Sequence, residues 1–192
     1  MSGHGFHVHG PHDHELEHQA QHEPKGLAGQ LAVITAILAT IGAFFGYMGG
    51  LTQANAGLFK NNAAIVKTEA ADKWNYYQAK ANKQNLSELA AELMTNDDKR
   101  AKYLEKAARY DKEKAEIKDD ADRLEEKSKE WDEKSEHQLH LHHRWAQATT
   151  ALQVSIALAA IALLTRKRWM RGATLVAGSI GIILGVLAWF NI

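Results

Sequence analysis

Uncharged and charged residues are sharply separated along this chain. No charged residue occurs within residues 26–59, 145–165 or 172–192. Each run contains the roughly 20 apolar residues that a helix needs to cross a bilayer. The polar stretch before the first run carries one Lys and no basic cluster. The pattern therefore predicts three membrane spans and argues against a secretory signal peptide.

The residues between the first two runs have the composition of helices. No Gly or Pro occurs between Gly57 and Gly172, and Ala, Glu, Lys, Leu and Gln are abundant there. Such a stretch predicts helix, and the period-two alternation of a strand is absent. The sequence Thr95-Asn96-Asp97-Asp98 predicts a turn, because short polar side chains cap helix starts. We expect two very long helices, at about 26–94 and about 98–168, that pair as an antiparallel hairpin.

The predicted fold class is all-α: an integral membrane protein with three transmembrane helices and a long extramembrane, coiled-coil-like antiparallel helical hairpin. Four basic residues between positions 166 and 171 favour a cytoplasmic loop. The N-terminus would then be cytoplasmic and the arm periplasmic in a bacterial inner membrane. The predicted organisation is a His-rich disordered cytoplasmic tail at 1–25, a span at 26–56, the hairpin arm at 57–144 with its turn near 95–98, a span at 145–165, the basic loop at 166–171 and a span at 172–192.

The apolar seam predicted for the arm is thin. Ala and a few Leu supply it, and two helices alone would bury little apolar area at about 25 cal/mol per Å². This favours a homo-oligomer, and the alternative is a monomeric hairpin held by its spans. The residues assigned to the seam are Ala101, Leu104, Ala108, Ala115, Ala121, Leu124, Trp131 and Ser135 on the second helix and Val66, Ala70, Tyr77, Ala81, Leu86, Leu89 and Leu93 on the first.

Glycines at a spacing of four occur in the first and last apolar runs. Lipid tails are as apolar as Leu, so membrane helices associate through close backbone approach at small residues. The glycines indicate either contacts between subunits or packing within one chain. The residues are Gly42, Gly46, Gly50, Gly181 and Gly185.

Histidines form two clusters. The tail contains the pattern H-E-x-x-H of zinc proteases at 14–18. In so His-rich a tract the pattern arises by chance, and neither a third ligand nor a cleft is indicated, so we do not predict a protease. Divalent metal binding (Zn, Ni or Cu) is an alternative, through His4, His7, His9, His12, His14 and His18 in the tail and through His137, His140 and His143 at helical spacing. The second cluster could also be a pH-sensitive contact, and we favour an interfacial polar collar.

Composition narrows the possible chemistry. The 23 basic and 23 acidic residues balance, which argues against a nucleic-acid partner, and there is no Cys. No G-K-[ST] phosphate loop occurs, and no charge lies inside a span as in a proton relay. We therefore expect no catalytic residue, no cofactor beyond a possible metal, and no small-molecule substrate; membrane lipid and further copies of the chain are the expected partners.

The segment "DKWNYYQAKANKQ", preceded by "NNAAIVKTEAA", resembles the bacterial membrane proteins grouped as domain-of-unknown-function 4337. The resemblance extends from about residue 26 onward, and it implies the same order of one span, an aromatic segment, a charged arm and two closely spaced spans. It implies no activity. Trp74, Tyr76 and Tyr77 are the largest side chains of the segment. They could anchor the partner helix, a neighbouring subunit or a ligand, and packing is the favoured role.

Together these observations predict a non-enzymatic, homo-oligomeric inner-membrane scaffold that assembles through its helical hairpin. The alternatives are a metal-binding or metal-sensing membrane protein that uses its His clusters, and a channel or transport accessory.

Overall fold

A computed structural model describes residues 26–191, and for Leu27 and Arg168 it describes the backbone alone. Three helices follow one another within this range: α1 (Leu27–Leu93), α2 (Asp97–Thr165) and α3 (Arg168–Trp189). No strand occurs among the described residues, so the all-α prediction is confirmed there. Each helix carries a segment that is long and apolar enough to cross a membrane.

The turn between α1 and α2 is capped by the residues that the sequence singled out. The Asn96 side-chain oxygen accepts a hydrogen bond from the backbone N–H of Lys99 at 3.0 Å. Asp97 and Asp98 occupy the first turn of α2, where the positive end of the helix dipole favours carboxylates. The cap fixes the start of α2 at Asp97.

The link between α2 and α3 is shorter than the predicted basic loop. α2 ends at Thr165, and Arg166 adopts a left-handed conformation with φ of 52° that stops the helix. α3 begins at Arg168 and not at Gly172. The extra turn of helix buries Met170, which is 8% exposed and packs with Leu31.

Residues 26–53 and 138–191 form the first of two compact units, which we call the apolar unit. Parts of all three helices meet in it, around a core that contains Leu38, Phe45, Trp145 and Leu152. The buried face of α3 is built largely from small residues. The Ser155 hydroxyl donates a hydrogen bond to the Thr174 carbonyl at 2.6 Å, which ties α2 to α3.

Residues 54–137 form the second unit, which we call the hairpin unit. α1 and α2 run antiparallel here and bury small side chains at intervals of seven residues or multiples of seven. On α1 the series is Ala56, Ala63, Ala70 and, further on, Ala91; on α2 it is Ala107, Ala121, Ser128 and Ser135. Small side chains permit a close approach of the two backbones.

The seam predicted near the turn is wrong. Leu86, Leu89 and Leu93 are 65%, 52% and 72% exposed, and Leu104 is 50% exposed. Ala101, Ala108 and Ala115 are exposed as well. The seven-residue series of buried Ala and Ser sets which face of each helix is inside, and the leucines lie outside that face.

Candidate functional site

The aromatic segment joins the two helices of the hairpin unit. Trp74 Nε1 donates a hydrogen bond to Glu125 Oε1 at 2.9 Å. The Trp74 and Tyr77 rings meet edge to face with centroids 5.6 Å apart, and Lys114 Nζ lies 5.6 Å from the Tyr77 ring. Two residues of the segment therefore contact α2 of the same chain, as expected for a packing role. Tyr76 remains 50% exposed.

Lys80, about one turn beyond Tyr77 in the same segment, forms a charged pair with a residue of α2. Lys80 Nζ lies 2.5 Å from Glu113 Oε2. It also lies 5.1 Å from the centre of the Tyr76 ring and 5.4 Å from that of the Tyr110 ring, within the range of cation–π contacts. The hydrogen bond from Lys80, more than any other contact, lowers the pKa of Glu113. The hydrogen bond to Glu113, followed by that to Tyr76, raises the pKa of Lys80. Both groups therefore remain charged over a wide pH range.

Two further ion pairs connect α1 and α2. Lys73 Nζ lies 3.0 Å from Asp120 Oδ2, and Lys60 Nζ lies 2.5 Å from Asp132 Oδ1. The hydrogen bond from Lys73, and then that from Arg123, lowers the pKa of Asp120. These charges pair across the hairpin, so their arrangement supports cohesion of the two helices.

Buried serines form a second kind of contact between the helices. Ser128 Oγ donates to the Ala63 carbonyl, and Ser135 Oγ donates to the Ala56 carbonyl, each at 2.9 Å. The two donors, like the two acceptors, are seven residues apart. Phe59 and Trp131 stack nearby with ring centroids 5.5 Å apart. The apolar pattern places Ser135 in the seam but does not predict a hydrogen bond between a serine and the facing backbone.

The predicted packing glycines divide into two groups. A Cβ added at Gly181 would lie 2.7 Å from Leu152 Cδ2, and one added at Gly185 would lie 2.1 Å from Phe45 Cζ. These two glycines pack within the chain. A Cβ at Gly42 would make ordinary contact with Leu152 at 3.8 Å, whereas Gly46 and Gly50 face open space. The first apolar run thus keeps two glycines that packing among the described residues does not require.

The predicted histidine face lies on the surface. His137, His140 and His143 are exposed. The neighbouring His142 is half-buried, and its Nδ1 lies 2.9 Å from the Gly49 carbonyl oxygen. Among residues 26–191 no three His, Asp or Glu side chains are grouped to hold a metal ion. The tail candidates His4, His7, His9, His12, His14 and His18 lie outside the described residues.

Comparison with known proteins gives one match. The family model described as a domain of unknown function (DUF4337) matches residues 27–191. No curated protein matches the chain. No solved structure matches it either.

Proposed function

Because the chain belongs to the DUF4337 family, a family that carries no assigned activity, we propose its function from the contacts described above. The proposed function is that of a non-enzymatic bacterial inner-membrane protein. Three helices anchor it in the bilayer, and the hairpin unit joins copies of the chain into a homo-oligomeric scaffold. The three apolar segments and the absence of charged residues from 26–53, 145–165 and 172–191 support the membrane location.

One observation carries the assembly part of the proposal: large apolar side chains recur on the outer surface of α1 in the hairpin unit. Leu58, Ile65, Leu86 and Leu93 are 55%, 50%, 65% and 72% exposed. They are separated by multiples of seven residues, so they follow one strip of the helix. We call these four residues the outer strip.

A partner of the outer strip needs apolar side chains at the same seven-residue spacing. The buried face of α1 in this unit is already occupied by α2, and water contacts the strip in a single chain. Complete burial of a Leu or Ile side chain contributes about 1.5–3 kcal/mol, so covering the exposed part of four of them contributes about 4–7 kcal/mol per chain. Gly57 and Ala64 precede Leu58 and Ile65, and such small neighbours allow another helix to come close. A second copy of α1 offers a matching strip.

The basic residues near the α2–α3 link support an orientation. Four basic residues lie between or beside the second and third apolar segments: Arg166, Lys167, Arg168 and Arg171. Short loops rich in Lys and Arg stay in the cytoplasm. We therefore place this link and the N-terminus in the cytoplasm and the hairpin unit in the periplasm.

Native mass spectrometry of the detergent-extracted protein tests the proposal. The wild type should give an oligomer, and replacement of both Leu58 and Ile65 by Gln should lower its mass toward that of one chain. Leu104→Gln is the matched control, because Leu104 is equally exposed at 50% but lies on α2, off the strip. A monomeric wild type, or equal loss of mass in the control, would overturn the proposed assembly.

A further inference from the structure

One polar side chain lies deep on the outer surface of the apolar unit. Gln153 is exposed, although the preceding residue, Leu152, is fully buried. Leu152 reaches Gly42 on α1 and Gly181 on α3, which are interior positions of both helices. Gln153 lies eight residues from Trp145 and twelve from Thr165, the ends of the uncharged run of α2. At 1.5 Å per residue, its amide is about 12 Å from the nearer end.

The Gln153 amide has no hydrogen-bond partner among residues 26–191. The neighbouring Thr149 and Thr150 hydroxyls, by contrast, have partners: each donates a hydrogen bond to a backbone carbonyl of α2 at 2.8 Å. A Gln side chain cannot be satisfied in this way at both ends, since its amide has two donor hydrogens and one acceptor oxygen. In hydrocarbon an amide without a partner is strongly unfavourable. The position thus requires a polar partner from outside the described chain.

The surface around Gln153 allows a second helix to approach. Ala146, Thr150 and Ala157 are exposed on the same side of α2, at spacings of three and four residues. Small residues at such spacings let helix backbones come close in a bilayer, and Gln side chains then bond across the interface. The small residues and the unpaired amide are independent features of one face.

We propose that Gln153 of one chain hydrogen-bonds to Gln153 of a second copy inside the membrane. An amide donates and accepts at once, so two identical amides satisfy each other across a two-fold axis. This inference rests on the proposed membrane location and homo-oligomer. It adds a contact between copies on α2, separate from the outer strip of α1.

Thiol cross-linking in native membranes tests the contact, because the chain has no Cys of its own. Gln153→Cys should give a disulfide-linked dimer on mild oxidation. Val154→Cys and Ile37→Cys are matched controls: both positions are comparably exposed, at 51% and 55%, and the first adjoins Gln153 on α2 while the second lies on α1. Equal cross-linking at all three positions would show random collision and overturn the contact.

A second measurement separates this inference from the proposed function. Energy transfer between labelled chains in vesicles gives the dissociation constant of the assembly. Gln153→Leu should raise that constant roughly tenfold, equivalent to about 1.4 kcal/mol. Gln153→Asn should retain part of the affinity, and Val154→Ile should leave it unchanged. If the wild type and Gln153→Leu associate equally well, the proposed Gln153 contact is wrong but the proposed homo-oligomer is not. If the wild type does not associate, both proposals are wrong.

Discussion

Gly181 offers a direct test of how the apolar unit packs. A Cβ at this position would lie 2.7 Å from Leu152 Cδ2, 2.9 Å from its Cγ and 3.0 Å from its backbone nitrogen. Leu152 is fully buried, and its backbone belongs to α2, so the clash is relieved only if α3 moves away from α2. Gly181→Ala should therefore destabilise the unit.

The magnitude follows from two opposing effects. Overpacking of a core costs about 1–3 kcal/mol. Replacing Gly by Ala inside a helix contributes about 1 kcal/mol in the other direction. Gly172 lies in the same helix with nothing within 4 Å of an added Cβ, so Gly172→Ala has the second effect alone. The difference between the two variants isolates the clash and should be about 1–3 kcal/mol.

Reversible unfolding of the two variants in mixed detergent micelles measures this difference. In thermal unfolding each kcal/mol corresponds to roughly 2–4 °C for a chain of this size. Gly181→Ala should melt below the wild type or near it, and Gly172→Ala should melt above it. Equal stability of the two variants would refute the close contact of Gly181 with Leu152.

Three further predictions concern the hairpin unit. The folded chain lowers the pKa of Glu113 and Asp120 below their ordinary values of 4.5 and 3.8, so the unfolded chain binds more protons in acid. The free energy of opening of the hairpin, obtained from amide exchange after correction for the intrinsic pH dependence of exchange, should fall as the pH drops through this range and stay constant near neutrality. Ser128→Ala should cost about 0.5–1.5 kcal/mol for the lost hydrogen bond, and Ser128→Val should cost more because the larger side chain separates the helices; equal unfolding free energies for the two would contradict this packing. Trp74→Phe should lower the free energy of unfolding by about 0.5–1.5 kcal/mol in the wild type and by almost nothing in a Glu125→Ala background. The mass of the oligomer should stay unchanged in both. A lower mass would assign Trp74 to a subunit contact.

The course of the helices could be predicted from the sequence because strong local signals mark their ends. The missing Gly and Pro, the cap at Asn96 and the separation of charge depend only on neighbouring residues. The start of α3 could not be predicted in this way. The helix that starts at Arg168 buries Met170 in one cluster with Leu31, which lies far away in the chain.

The interior of the hairpin was predicted correctly at Ala70, Ala121 and Ser135 but incorrectly near the turn, for a related reason. Leucines were expected inside, yet buried Ala and Ser form the contact face and Leu104 stays exposed. The pairing of Lys80 with Glu113 was also missed. An ion pair across antiparallel helices depends on their register, and many registers are compatible with a sequence rich in alternating charges. Gly181 packs closely against Leu152 of the same chain, whereas glycine spacing alone does not separate contacts within a chain from contacts between chains.

The evenly repeated Ala and Ser layers of the hairpin have a mechanical consequence. If α2 slid along α1 by seven residues, one serine would still face a backbone carbonyl, so these layers resist sliding poorly. The charges resist it in part. A slide in one direction would set Lys80 against Lys106 but Lys73 against Glu113, and a slide in the other would set Lys73 against Lys127 but Lys80 against Asp120. Each displacement thus exchanges two attractive pairs for one attractive and one repulsive contact, which favours the observed register of the two helices.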